Sequence, residues 1–304
     1  MRAPVRPLRG RWPTFAQRGL SRWFWADPTV VLAGADADPV AFRTAMNAFH
    51  LGGTIKITGS DRHRGADDLV LALDRSDLAI ADIGASDGST SLDLISRLPG
   101  YRSFVISDRH LHVRAVSDRA GRTVFFDPAG VPVLVVGRHA LAWPSLSKRV
   151  AWLYRRSLTA AHAALDRDGQ DVLLLNPAVQ ALVRADPRVS YRAHDVFETW
   201  SGDPVDVVKV ANLLRRLYFS DGEISRALTA LLASLPDGGH LLVVDNPRIA
   251  GIAYRAAMYR RDQDRFTLVG VAGHPPEIAD LVEATVLGPR QAGSGHDDAR
   301  GRPA

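Results

Sequence analysis

The stretch Ala-Ile-Ala-Asp-Ile-Gly-Ala-Ser-Asp-Gly-Ser-Thr-Ser, residues 79–91, carries the densest candidate chemistry in the chain. An apolar run ends near Asp82, Gly84 and Gly88 bracket Ala85, Ser86 and Asp87, and hydroxyl residues open a helix-like run. A strand that turns through glycines into a helix start brings backbone amides close to a ligand. A triphosphate loop would need Gly-Lys-Ser/Thr at that point, and no lysine is present. A dinucleotide turn needs three glycines, and Asp82 and Asp87 would put negative charge where its pyrophosphate sits. Two carboxylates suit instead a ligand with a positive amino group and ribose hydroxyls.

The elements around this turn must position it. LAIADIG reads as a strand, STSLDLISRLPG as a helix stopped by Pro99-Gly100, and RSFVISD as a second strand, a β-α-β unit that implies a parallel sheet. The alternation resumes after residue 170 with DVLLLNP (strand), AVQALVRAD (helix), VSYRAHDVF and PVDVVKVAN (strands), DGEISRALTALLASL (helix) and GGHLLVVDN (strand). RFTLVGVAG and EIADLVEATVL are expected as a last antiparallel pair, with a helix as the alternative for the second. Upstream, DPVAFRTAMNAFHLGG and GADDLVLALDRS read as helices, the first stopped by Gly52-Gly53. In the interruption, RTVFFDPAGVPVLVVG reads as a hairpin about Asp127–Gly130, followed by the helix SLSKRVAWLYRRSLTAAHAALD. The expected organisation is a basic arm and helical cap (1–64), a core (65–112 and 171–287), a hairpin-helix insertion (113–170) and a disordered tail (288–304). The fold class is α/β: a Rossmann-like, seven-stranded, mostly parallel sheet with an N-terminal helical cap and a β-hairpin/helix insertion.

At these residues the chain resembles the class I S-adenosylmethionine-dependent methyltransferases. DIGASDG is similar to that family's first motif, D-x-G-x-G-x-G, with Ser86 in place of the middle glycine. VISD, AHDVF, and VDVVKVANLL followed by LPDGGHLLVVD fall in the family's order; the segment from Asn212 to Gly239 is similar to the chemotaxis-receptor carboxyl methyltransferases. The resemblance implies S-adenosylmethionine as cofactor. Asp82, Gly84, Ala85, Ser86, Asp87 and Gly88 would form the loop under its methionine part, Asp108 would hold the ribose, and Asp195 and Val196 would flank the adenine. Ser86 in a glycine position implies a loop that avoids positive φ there. Arg215-Arg216 lengthens the segment up to Phe219, so a receptor-glutamate substrate is not carried over. VLLLNP offers a rival second strand with Asn176 in the ribose position. Asp108 is preferred, because it lies about one βα unit after the first motif and a carboxylate accepts from both ribose hydroxyls.

Methyl transfer from a sulfonium needs alignment and exclusion of water, and a base only where the acceptor is protonated. Asn212, at a strand end, Tyr218 after it, and His194 beside Asp195 are the candidate catalytic residues; each has a structural alternative as cap, core residue or backbone partner. His110 and His112 form a His-x-His pair, but no further metal ligands stand out, so no metal is expected. The expected function is methyl transfer to oxygen or nitrogen of a small-molecule or biosynthetic acceptor. The alternatives are an inactive scaffold on this fold and a nicotinamide-dependent oxidoreductase. Nucleic acid is not the expected acceptor, since VANLL stands where base amino-methylating enzymes carry Asn-Pro-Pro-Tyr.

Composition sets the outer bounds. The 304 residues are 46% hydrophobic, enough for a full core, and contain no cysteine, which excludes disulfides, Cys-ligated zinc and a thiol nucleophile. The net charge is +5, and Arg2, Arg6, Arg9, Arg11 and Arg18 all precede the first acid, Asp27. The N-terminus lacks the apolar segment of a signal peptide, and a cytoplasmic location is expected. Peripheral contact with an anionic membrane is considered for the basic arm and for the insertion helix, where Lys148, Arg149, Arg155 and Arg156 stand near Trp143, Trp152 and Tyr154. The preferred readings are a solvated arm and an insertion that acts as a lid over the site; membrane contact is the alternative to both. The aromatic run SRWFWADP, residues 21–28, is expected to staple the N-terminus to the core.

Overall fold

The computed structural model describes residues 3–19, 21–51, 54–55, 63–246 and 254–288. From the N-terminus, β1 (Val5–Pro7), α1 (Thr14–Gly19), α2 (Pro39–Met46), β2 (His50–Leu51), β3 (Thr54–Ile55) and α3 (Arg64–Leu71) lead to β4 (Ala79–Ile83), α4 (Ser91–Arg97) and β5 (Ser103–Asp108). Next come β6 (His112–Ser117), β7 (Thr123–Phe126), β8 (Pro132–Val136), β9 (Ala140–Ala142), α5 (Lys148–Asp168) and β10 (Gln170–Leu173). The chain ends in α6 (Pro177–Ala185), β11 (Val189–Ala193), β12 (Val207–Ala211), α7 (Asp221–Ser234), β13 (His240–Asp245), β14 (Arg255–Asp262), β15 (Arg265–Gly273) and α8 (Ala279–Glu283).

Local signals set the helix starts. Asp38 and Asn176 cap α2 and α6 ahead of Pro39 and Pro177, whose missing N–H costs nothing at a first turn. Ser220 and Glu223 form a reciprocal capping box on α7.

The main sheet runs β11-β5-β4-β12-β13-β14-β15. Its first five strands are parallel, and β14 and β15 add an antiparallel edge. The central strands are apolar runs buried on both faces, as a sheet covered by helices on both sides requires. One face packs with α7 and α8, the other with α3, α4 and α6. From β4 the chain builds outward through β5 to β11, then returns to build β12 and β13 on the other side. The strand order therefore reverses at β4, and a crevice opens at the carboxyl ends there.

The last antiparallel pair is β14 with β15, and EIADLVEATVL takes its helical alternative. Ile278 and Val282, four residues apart, are both buried against the α7 side of the sheet.

The insertion contains the expected hairpin, β7–β8 about Gly130, and the expected helix, α5. It also builds a second, six-stranded sheet, β1-β9-β8-β7-β6-β10. Two expectations change as a result. DVLLLNP contributes β10 to this second sheet, antiparallel to β6, and not a strand to the parallel core. Residues 5–7, within the expected arm, pair with Ala140–Ala142, and Leu8 is buried behind them. The aromatic staple packs as expected: Phe24 is buried and Trp25 meets Trp143 edge-on at 5.1 Å. The expected helix does not run on to Gly52-Gly53: α2 ends at Met46 with Asn47 as its cap, and His50–Leu51 form β2; Gly52, Gly53 and nearly all of the 288–304 tail lie outside the described residues. No helix among the described residues is long and apolar enough to cross a membrane.

Candidate functional site

Strand alternation decides which way the side chains at the end of β4 point. Ala81 and Ile83 face the α7 side, while Ile80 and Asp82 face α3 and α4. Asp82 is buried; its Oδ2 accepts from Ser91 Oγ at 2.8 Å and lies 3.8 Å from Lys209 Nζ. Lys209 is paired in register with Asp82 on the neighbouring β12, and its ammonium meets Asp67 Oδ1 of α3 at 2.7 Å. Burial raises the pKa of Asp82 and pushes Asp67 up to about 6, with Lys209 opposing both shifts. Asp87 is also buried, accepting from Ser89 N at 3.0 Å and Ser89 Oγ at 2.8 Å; burial raises its pKa too.

Both loop carboxylates are therefore buried beneath the loop. The sequence-based expectation offered them to a positive amino group, but they anchor the loop from beneath. Asp82 falls on the helix-facing side of the pleat, and the loop conformation turns Asp87 inward, where it also takes a 3.5 Å contact from Asn176 Nδ2.

Three residues of the loop are left-handed: Gly84 (φ +78°), Ser86 (φ +61°) and Gly88 (φ +74°). Ser86 thus keeps the conformation of the glycine it replaces, contrary to the expectation that it avoids positive φ. Its amide donates to Asp108 Oδ2 at 2.9 Å, a charge-assisted bond that offsets the strain. Ser86→Gly is expected to raise stability by about 1 kcal/mol without weakening ligand binding, measured by thermal unfolding and titration. A Cβ on Gly84 would stand 2.7 Å from Leu213 Cδ2, so the backbone there passes close beneath that side chain. Ala85 is buried, and its amide, like that of Gly84, donates to Ser107 O.

The register question is decided by pairing. β5 lies beside β4, which brings Asp108 to the crevice. Asn176 instead caps α6: its Oδ1 accepts from Ala178 N and its Nδ2 donates to Pro39 O, each at 3.0 Å. Asp108 Oδ1 accepts from His110 N at 2.9 Å, so both carboxylate oxygens are oriented by backbone amides. On the next strand end, His194 N donates to Asp108 O, and Asp195 pairs with Arg109 at 3.1 Å and accepts from Phe197 N at 3.2 Å.

These residues enclose a cleft with about 520 Å³ of empty space, counting its open mouth. Its polar wall is Gly84, Asp108, Arg109, His110, His194 and Asp195; its apolar wall is Ile83, Val196, Phe197, Leu213 and Phe219. His194 packs edge-on against Trp200 at 5.0 Å, and burial, then the charge of Arg192, lowers its pKa. Its Nε2 is buried without a hydrogen-bond partner among the described residues. No group of three metal-ligating side chains occurs among the described residues. No residue of the insertion beyond 112 lines this cleft, so the lid expected there does not cover it.

The candidate catalytic residues separate. His194 joins the cleft with Asp108 and Asp195. Asn212 directly follows β12 with φ +56°, a conformation asparagine tolerates. Its Oδ1 accepts from Asn246 N at 2.7 Å and its Nδ2 lies 3.0 Å from His63 Nε2, so it ties the ends of β12 and β13 to the start of α3. Tyr218 sits in the turn before α7 and does not line the cleft; Phe219 takes that place, 5.3 Å from Phe197. His63, Arg109 and Lys209 escaped the sequence reading. Lys209 alone left a trace, as a lone charge inside an apolar strand run like that of Asp82.

A sheet order that reverses at a glycine loop, with an acid closing the adjacent strand, decides the architecture. This is a Rossmann-like, doubly wound α/β fold. No protein-family model and no curated protein matches the sequence. Solved structures overlap the fold in part. The YcgJ protein from Bacillus subtilis is 14% identical over 60% of this chain and 51% of its own, with a TM-score of 0.32. The N-methyltransferase NodS from Bradyrhizobium japonicum is 16% identical over 61% and 67%, with a TM-score of 0.32. A TehB-like S-adenosylmethionine-dependent methyltransferase from Corynebacterium glutamicum is 14% identical over 62% and 63%, also with a TM-score of 0.32. The chain spans about half the length of the Bacillus protein. Overlaps this partial say nothing of activity or acceptor.

Proposed function

We propose that the protein is an S-adenosylmethionine-dependent methyltransferase acting on an oxygen or nitrogen atom of a small-molecule acceptor. The observation that carries this reading is the Asp108 carboxylate, oriented by Ser86 N and His110 N at the rim of a cleft that opens over the left-handed Gly84 turn. The residues present fit such a cofactor. Asp108 would accept the ribose hydroxyls, Val196, Phe197 and Leu213 offer apolar surface to the adenine, and Asp195 stands beside them. The unpartnered His194 Nε2 is a polar atom that a nucleoside would satisfy. When bound, the cofactor supplies a methyl group already activated by its sulfonium. The chain's own task is then to align the acceptor and keep water out. Asn212 and Asn246, which directly follow β12 and β13 and are joined to His63, are the residues we propose for the acceptor side.

Calorimetric titration with S-adenosylmethionine and S-adenosylhomocysteine, with NADH in parallel, tests the reading. Micromolar binding of the sulfonium cofactor and its product, and none of NADH, is expected. Absence of binding by both would overturn it.

A further inference from the structure

Helix α5 is attached to the second sheet by Ala161 and Leu165, which pack with Val116, Val124, Phe126 and Val135, and Val150 in its first turn is buried as well. Residues advance about 100° each around a helix, so Trp152 falls on the side opposite Val150, Ala161 and Leu165. It is 64% exposed, the adjacent Leu153 is 67% exposed, and Leu146, just before the helix, is 48% exposed. Lys148, Arg149, Arg155 and Arg156 flank Trp152 on the exposed side, and no acid occurs from residue 148 to 165. None of the four cations forms an ion pair among the described residues, and the Arg155 guanidinium lies 4.5 Å over the Trp152 ring. Of the aromatics grouped here in the sequence, Trp143 is core, donating to Ala48 O at 2.7 Å, and Tyr154 packs at the helix–sheet interface.

A merely solvated surface would gain nothing from the exposed Trp152 and Leu153 on the helix and Leu146 just before it. We propose that this face of α5 docks on an anionic lipid surface. The four cations would meet headgroup phosphates, while Trp152, Leu153 and Leu146 enter the interfacial layer. A nucleic acid would share the phosphate chemistry and could stack on Trp152, but it offers no burial to the two leucines. The lipid surface is the occupant that uses every exposed group.

Flotation of the full chain with vesicles tests this. Phosphatidylcholine mixed with phosphatidylglycerol should bind the protein at low salt, with binding that fades at high salt, and phosphatidylcholine alone should not bind it. Arg149→Glu with Arg156→Glu should lower binding on the order of 100-fold or more. Trp152→Ser should lower it about ten-fold, a loss that persists when salt is raised. All three positions are exposed, and an unchanged circular dichroism spectrum confirms the fold. No binding to anionic vesicles at low salt, or binding unchanged by the charge reversals, would overturn the proposal. So would an oligonucleotide that displaces the vesicles and depends on the same two arginines. Cofactor binding is independent of every arm of this experiment.

Discussion

Asp108→Ala should lower affinity for S-adenosylhomocysteine by at least about 100-fold, with the fold intact. A carboxylate accepting from two ribose hydroxyls makes two charge-assisted bonds, each worth about 1.5–3 kcal/mol. Their joint loss spans roughly two to four decades in affinity. The effect is also indirect, because Asp108 takes Ser86 N and His110 N and so holds the glycine loop against the end of β5. Asp108→Asn keeps the shape and one acceptor, and should fall between wild type and alanine. Asn176→Ala is the contrast: it removes the α6 cap and a link to Pro39 O, so it should cost about 1–2 kcal/mol of stability and leave affinity within a few-fold. Calorimetry on the three variants checks all of this. Equal affinity in wild type and Asp108→Ala would remove Asp108 from the ribose.

Lys209→Met should cost about 3–5 kcal/mol of folding stability at neutral pH. Lys209 is fully buried and is the one cation shown in ion-pair contact with both Asp67, at 2.7 Å, and Asp82, at 3.8 Å. Methionine fills the space but leaves two buried carboxylates facing each other without a counter-charge. The loss should shrink on acidification, and the sign follows from burial. Asp67 already has its pKa raised to about 6, well above its ordinary 3.8. An acid with a raised folded pKa binds protons more tightly when folded, so its ionisation penalises the folded state as pH rises through about 4 to 6. Removing the ammonium moves that penalty higher, and the variant should regain stability between neutral pH and pH about 5. Denaturant unfolding at the two pH values measures the difference. A loss of the same size at both would mean that packing, and not charge, sets the cost. Because Asp82 and Ser91 flank the glycine loop, weaker cofactor binding should accompany the destabilisation.

Much of this architecture was legible from residues close together in the chain. The β-α-β alternation, the glycine turn at Gly84–Gly88, the strand-end acids Asp108 and Asp195, the hairpin about Asp127–Gly130 and the span of α5 all follow from periodicity, caps and turn residues. Those signals act over a few residues and need no knowledge of what lies opposite. Partner choice is different. VISD and LLLNP are equally good strands in isolation, and only the packing of α6 and the second sheet sends the first to β4 and the second to β6. The same holds for the arm: Val5–Pro7 has no local mark of a strand and becomes one because β9 leaves an open edge and the core beneath takes Leu8. The backbone conformation at Ser86 has no local mark, because local sterics penalise positive φ, whereas the distant Asp108 carboxylate rewards it. The direction of Asp82 and Asp87, and the burial of Lys209 between Asp67 and Asp82, were likewise set by which face of the pleat meets a helix. Element order and the residue types at the crevice were thus readable locally. Which strands become neighbours and which carboxylates face the cleft emerged with packing, because burial and pairing energies depend on residues far apart in the chain.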